Sequence, residues 1–447
     1  MGDFHNIITK MKQAKPTSCG GLKNKHIFFV YDGGGLFLQM ALQLGRDGHK
    51  VYYYTPFYDE ELCFRRYALG YGLEEIEKPL YFWRALMKYP REEATIIFPD
   101  VGSGDMASFL KKQGYAVFAS GEGDILENHR ELLKQKMKEV GLPVNNYIQI
   151  TGLTNLRNYL KQHNNKVVKL DIFRNDQESF KASTYSDAEP ILDKLQLKFG
   201  QLADEFPFIV EDLIDGEEPG FDVIFNKTGY LTPYLWGFEV HKGPYCGILT
   251  DKLPEPLQLV ADKLKPLLTR YDWRGFISTE VIIGNGKPYL IDVCSRSPYP
   301  LGVGFTFLYE NYSEITYKVA RGLPVVIKPR GKYMIVLPLE QDPDIDIPLW
   351  SNVRAPFIGL VKKDNNYYGV ALSRVTKTND NQYVGLPGDK NYINVVGVGS
   401  NPELLVKEII NIADKCTING GSFQYDKEGL NEALEKLKGF SKKYLGH

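Results

Sequence analysis

Between Trp273 and Gly304 the chain reads WRGFISTEVIIGNGKPYLIDVCSRSPYPLGVG, and four residues there carry chemistry: Glu280, Asp292, Cys294 and Arg296. Both acids interrupt apolar runs, where a carboxylate is costly unless it is paired or bound to a metal. The runs 276–283 and 287–294 flank Gly284-Asn285-Gly286, which is a β-hairpin signal. Side chains alternate along a strand, so Asp292 and Cys294 share a face. Whether Glu280 joins them depends on the turn. A three-residue loop sets Glu280 opposite Asp292, whereas a two-residue Asn285-Gly286 loop sends Asp292 to the other face. With the odd loop, two carboxylates and a guanidinium converge. That combination holds Mg²⁺ against a polyphosphate, with oxygen ligands on the metal and Arg296 on the anion. The same pattern also fits a structural hairpin whose acids reach solvent or pair with a lysine.

The elements that must position these groups belong to a chain of 447 residues, enough for two or three domains with their own cores. Hydrophobic content of 43% and charged content of 24% describe an ordinary globular protein. A net charge of −1 gives no electrostatic reason to expect nucleic acid or an anionic membrane as partner. No apolar run approaches a membrane span, and MGDFHNIITKMKQAK has no signal-peptide hydrophobic core. Cysteines 19, 63, 246, 294 and 416 are scattered and odd in number, without CxxC. That pattern argues for a reducing, cytoplasmic setting and against a zinc site.

Residues 1–24 read as a polar arm. Ile27 to Tyr31 is a continuous apolar run, as in a central parallel strand, followed by Gly33-Gly34-Gly35, an apolar helix from Leu36 to Leu44 and a strand from Val51 to Tyr54. Further strands, 94–98 and 115–119, end in the polar, Gly-rich exits Pro99–Asp105 and Ser120–Asp124. This predicts a small doubly wound domain with a ligand crevice along one sheet edge. From Asn128, HRELLKQKMKEVGLPV is an amphipathic helix stopped by Gly141 and Pro143. A helix near 153–162, a strand at 166–170 and a long helix over 189–205 follow. Lys169 lies on an inward position, where a cation needs an anion. Strands at 208–213 and 220–225 flank a run of acids that includes Glu211, Asp212 and Glu218. Beyond Pro329-Arg330-Gly331 come strands near 333–339, 367–373 and 392–398 and an amphipathic helix over 402–416.

Taken together, IVEDLIDGEEPGF, VVKL, HRELLKQKMKEVGLPV and the Glu280/Asp292/Arg296 hairpin resemble the ATP-grasp superfamily of carboxylate–amine ligases. Within it the nearest look is phosphoribosylamine–glycine ligase. The resemblance implies an α/β architecture of the α+β grasp type. A Rossmann-like domain would span 25–125, an ATP-grasp domain 126–330 and a small mixed α/β domain 331–447. It implies ATP and Mg²⁺ (or Mn²⁺) as cofactors, an amino acid-like carboxylate and an amine as substrates, and a monomer or homodimer. The backbone around Glu211, Asp212 and Leu213 would bond adenine, and Glu218 the ribose. Lys169 and Arg130 would neutralise phosphates, Glu280 and Asp292 would hold the metal, and Arg296 would hold the acyl phosphate or the substrate carboxylate.

The chain departs from that pattern in four places. Cys294 stands where the superfamily usually has a metal-binding Asn, and Asp292 where it commonly has Glu. The loop after the phosphate lysine, DIFRNDQESFKAST, has no glycine, with Arg174 and Lys181 as the positive charges that would substitute for it. Ser297-Pro298-Tyr299-Pro300 replaces a Gly-Asp-Pro-Glu pattern. The alternative is therefore a catalytically degenerate member serving as a nucleotide-binding or structural module.

Overall fold

The computed structural model describes residues 22, 24–56, 68–171, 179–241, 243–341, 350–387 and 390–446. Arg174, Cys19, Cys63 and nearly all of the arm 1–24 lie outside them. The apolar run forms β1 (Ile27–Tyr31), with Phe28, Phe29 and Val30 fully buried. It pairs in parallel with β2 (Lys50–Tyr54) and β3 (Ala94–Ile97), and β4 (Ala116–Phe118) joins β3, giving the order β2-β1-β3-β4. Helices Leu38–Arg46 and Gly104–Lys112 follow β1 and β3, so both begin at the sheet's carboxyl edge.

A second, antiparallel sheet has the order β5-β8-β6-β7, from β5 (Tyr147–Thr151), β6 (Lys166–Leu170), β7 (Ser179–Ala182) and β8 (Pro207–Asp212). Helices Leu153–Leu160 and Tyr185–Phe199 cover it, burying Leu156, Leu160, Leu192 and Leu195 against Val168, Phe208 and Val210. The longer helix starts at a capping box between Thr184 and Asp187.

The third sheet has ten strands. β9 (Gly220–Asn226), with the short β10 (Gly229–Tyr230), lies between β13 (Arg274–Gly284) and β11 (Tyr234–Glu239). β14 (Lys287–Cys294) closes one edge beyond β13. On the other side run β12 (Tyr245–Thr250), β15 (Tyr333–Glu340), β21 (Asn391–Gly399), β18 (Asn366–Leu372) and β17 (Gly359–Lys363). The sheet thus continues across residue 330. A small sheet is made of β16 (Ser351–Arg354), β19 (Val375–Lys377), β20 (Tyr383–Gly385), β22 (Thr417–Ile418) and β23 (Gly421–Ser422).

The helix Leu301–Leu308 is buried at every position, packed against β15, β18, β21 and the helix Leu38–Arg46. Helices Pro402–Ala413, capped by Asn401, and Lys427–Leu445, capped by Asp426, lie over the same sheet. The parallel sheet is joined to the large one by main chain. Ala119 and Arg274 exchange hydrogen bonds of 2.7 and 3.1 Å, and Lys111 Nζ donates to the carbonyls of Ala119 and Asp272 at 3.0 and 2.8 Å. No helix among the described residues is long and apolar enough to cross a membrane.

Candidate active site

The hairpin turn has two residues. Asn285 and Gly286 both take left-handed backbone, with φ of 50° and 73°, and Gly284 pairs directly with Lys287. By alternation alone this even loop sends Asp292 away from Glu280. The ladder, however, shifts register between Glu280 and Val281: Val281 faces Leu290, whereas Glu280 faces Asp292. Ile291 is the extra residue of a β-bulge, and it restores the pairing that the turn removes. The expectation that only an odd loop would bring the acids together is corrected here, since alternation along an unbroken ladder cannot foresee a bulge.

The bulge also leaves the carbonyl of Ile291 outside the regular ladder, and Lys169 Nζ donates to it at 3.1 Å. Lys169 comes from β6, so the second sheet meets the hairpin here. Arg130, at the start of the helix Arg130–Glu139, is 4% exposed. It donates from Nε to Leu170 O at 3.0 Å and from Nη1 to Asp292 Oδ2 at 2.9 Å. One helical turn on, Lys134 Nζ lies 2.9 Å from Glu211 Oε2, and Lys169 Nζ lies 3.6 Å from Glu211 Oε1. Glu211 is therefore buried between two lysines. Burial alone would raise its pKa, but the charges of Lys169 and Lys134 overcome that and hold the carboxyl below its ordinary range. Burial lowers Lys134, only partly offset by Glu211.

Glu280 has no hydrogen-bond or ion-pair partner among the described residues. Crowding by protein atoms, then the carboxylates of Asp292 and Glu218, push it up to about 7 against the pull of Lys169 and Arg130. Its side chain is nevertheless solvent-accessible, so the like charges are the firmer cause. Glu218 is exposed on the segment that pairs with β13 through Ile283 N–H to Glu217 O and Val281 N–H to Pro219 O.

Three of the expected residues are spoken for in other ways. Leu213 has a 39% exposed side chain, but its N–H donates to Asn165 O at 3.0 Å, and that of Asp212 to Asn146 O at 3.2 Å. The Asp212 carboxylate pairs with Lys166. Arg296 is not drawn to the acid pair. Its Nε donates to Glu127 Oε1 at 3.0 Å and lies 3.7 Å from Asp100 Oδ1, at the edge of the parallel sheet. Ser295 N–H and Oγ–H fill the other Glu127 oxygen at 2.6 and 3.2 Å. Cys294 faces Ser278, whose hydroxyl donates to the buried Asp222; Tyr245 donates to the second oxygen of that acid at 2.8 Å. Lys181 is exposed on β7.

Three contributors escaped the sequence reading. Lys134 had a signal, the spacing of four from Arg130 on one helix face. Asp100 lies in the Pro99–Asp105 exit expected to line a crevice, but neither it nor Glu127 gave a sign of meeting Arg296, which they do only through tertiary contact.

Among the described residues no group of three or more His, Cys, Asp or Glu side chains stands together as a metal site. Mg²⁺ does not require one: it keeps several waters and is bound through one or two carboxylates with substrate phosphates. Glu280 has no hydrogen-bond partner among the described residues, and Asp292, which accepts from Arg130 and from Val293 N–H, stands directly opposite it on the ladder. The pair therefore fits such an ion.

No protein-family model matches the sequence, and no curated protein matches it. Solved structures do. Phosphoribosylamine–glycine ligase from Thermotoga maritima shares 18% identity over 90% of this chain and 99% of that chain, with a TM-score of 0.66. Biotin carboxylase from Campylobacter jejuni, in a β,γ-ATP complex, shares 14% over 94% and 98%, with a TM-score of 0.63. The biotin carboxylase domain of Hydrogenobacter thermophilus 2-oxoglutarate carboxylase, in complex with MgADP, ADP and bicarbonate, shares 12% over 94% and 97%, at 0.61. At such identities the likeness speaks for the fold, and the chain has the ATP-grasp fold that its motifs resemble.

Proposed function

We propose that the chain is an ATP-dependent carboxylate–amine ligase. ATP phosphorylates a carboxylate, an amine attacks the resulting acyl phosphate, and ADP and phosphate leave. Such chemistry depends on positioning and charge neutralisation more than on a protein nucleophile. The observation that carries the reading is the junction at Ile291. There a bulge sets Glu280 against Asp292, and Lys169, Arg130 and Lys134 enter from the neighbouring sheet and helix. In this reading the nucleotide lies between the β5–β8 sheet and the hairpin, with adenine against the exposed Leu213 near Glu211 and Asp212, and the ribose at Glu218. Lys169 and Arg130 balance phosphate charge. Glu280 and Asp292 would hold Mg²⁺ or Mn²⁺, which when bound would neutralise phosphate charge. Arg296, fixed through Nε by Glu127, turns its remaining nitrogens to the substrate carboxylate or acyl phosphate. Residues 25–125, 126–330 and 331–447 serve as its three units, the last two tied by one sheet. The setting is cytoplasmic, and the assembly is a monomer or homodimer.

The degenerate alternative draws on one observation: the Asp212 and Leu213 N–H groups already have protein acceptors. The test is an ADP-release screen of amino acid-like carboxylates against amines, with Mg²⁺ and with Mn²⁺, run beside Glu280→Gln. Release with one pair above the variant supports the ligase. ATP binding by thermal shift without release from any pair would leave the degenerate module.

A further inference from the structure

Around the acid pair the hairpin is buried on one face and open on the other. Ile277, Thr279, Val281 and Val293 are buried, whereas Ser278, Glu280, Asp292 and Cys294 are not. The ladder is regular through Glu280–Asp292, Thr279–Val293 and Ser278–Cys294, so the four open side chains make two facing pairs on one face. Facing side chains have Cβ atoms about 5 Å apart, so an oxygen missing from one strand can be supplied by the other. Cys294 offers sulfur, a poor partner for a hard cation and a weak acceptor from its waters. Ser278 offers oxygen, and its neighbours fix which way that oxygen is used. The buried Asp222, next across on β9, accepts from Ser278 Oγ–H on Oδ1 and from Tyr245 O–H on Oδ2. An ionised carboxylate only accepts, so the single hydrogen of Ser278 is spent inward and its lone pairs remain for the cleft. Donation to a charged acceptor also polarises the hydroxyl and strengthens its oxygen as an acceptor. An amide of the same shape would cost less to bury. Only the carboxylate obliges both hydroxyls to donate.

We infer that Ser278, held by Asp222, supplies the oxygen that Cys294 lacks, accepting a hydrogen bond from the water shell of the divalent cation that Glu280 and Asp292 would hold. The inference rests on the metal site of the ligase reading. The test is Mn²⁺ binding by the full chain saturated with ADP, with free Mn²⁺ read by electron paramagnetic resonance. ADP alone is the blank and Glu280→Gln the control. Ser278→Ala should weaken Mn²⁺ binding roughly fivefold, on the order of one net hydrogen bond. Ser278→Cys keeps a hydrogen for Asp222 but puts sulfur in place of oxygen, and it should show the same fall even where the alanine variant folds poorly. Ser278→Thr, which keeps the hydroxyl, should bind as wild type does. Cys294→Asn added to Ser278→Ala should restore the affinity, because the amide oxygen returns from the opposite strand. A Ser278 that only braces Asp222 would lower the melting temperature on replacement and leave Mn²⁺ binding unmoved. Wild type binding better than Glu280→Gln but no better than Ser278→Ala and Ser278→Cys therefore overturns this inference alone. Wild type binding no better than Glu280→Gln overturns the metal site itself, and the role of Ser278 falls with it.

Discussion

Lys134 and Lys169 flank one buried carboxylate, and their distances predict a division of labour. Two cations on Glu211 leave one positive charge in excess, and the closer lysine, Lys134 at 2.9 Å, supplies most of the neutralisation. Removing one partner of a buried ion pair costs about 3–5 kcal/mol, because the other charge is stranded. For Lys134→Met the loss should fall near the lower end, about 3 kcal/mol, since Lys169 remains at 3.6 Å. Lys169→Met leaves the tighter pair intact. It gives up one long contact and the hydrogen bond to Ile291 O, about 1 kcal/mol of stability. If the excess charge serves ATP phosphates, that second variant instead loses a charge-assisted bond worth about 1.5–3 kcal/mol, a tenfold or greater fall in ATP affinity. Urea unfolding gives the stabilities, with an unchanged m-value as the check on two-state behaviour, and calorimetry at fixed Mg²⁺ gives the affinities. Unaltered ATP affinity in Lys169→Met, with a stability loss equal to that of Lys134→Met, would refute the division.

Other outcomes follow from the same site. Cys294→Asn should preserve or raise turnover and tighten apparent Mg²⁺ affinity, and Cys294→Ser should be nearly neutral; loss of turnover in both would make the thiol a participant. The raised Glu280 contributes apo stability that is full below its ordinary pKa of 4.5 and is lost as pH rises through about 7. Glu280→Gln should flatten that slope, and Mg²⁺ should bind wild type more tightly at pH 8 than at pH 6; a wild-type titration without pH dependence contradicts the assignment. Glu127→Gln replaces an acceptor of Arg296 Nε and Ser295 with an amide, so KM for the carboxylate should rise roughly tenfold with kcat changed less. Equal KM values would leave Arg296 without a positioning partner.

The strands of the parallel sheet were legible because each is a short, nearly uninterrupted apolar run, and β1, β2 and β3 lie within a residue of their expected limits. Lys169, Glu280 and Asp292 stood out in the sequence because charge inside an apolar pattern is costly and must be answered, whereas Arg130 stood out only through the resemblance and the pairing of the acids was left to the turn. Other elements were not. The helix Leu301–Leu308 is apolar all round, so LGVGFTFL has no polar face to betray a helical period; only its burial from several sides explains it. The helices Glu255–Arg270 and Lys427–Leu445 went unassigned, although both are amphipathic and the second has an Asp426 cap. Nor was the placement of Arg296 beside Glu127 and Asp100 accessible, since those residues are distant in sequence and meet through packing alone.

The bulge at Ile291 makes the hairpin a two-position parity lock. Changing the Asn285-Gly286 connection by one residue would shift all of β14 relative to β13 and carry Asp292 to the opposite face, with the strands still paired. Gain or loss of the bulge has the same effect and can cancel the first change. Chain length in the turn and chain length at Ile291 are thus exchangeable so long as they vary together. Two descendants of one ancestor could differ by an insertion in the turn and a deletion at the bulge, a few residues on, while keeping the same carboxylates in register. An aligner that penalises each gap separately would skip both, keep the second acid in place and mispair the stretch between them.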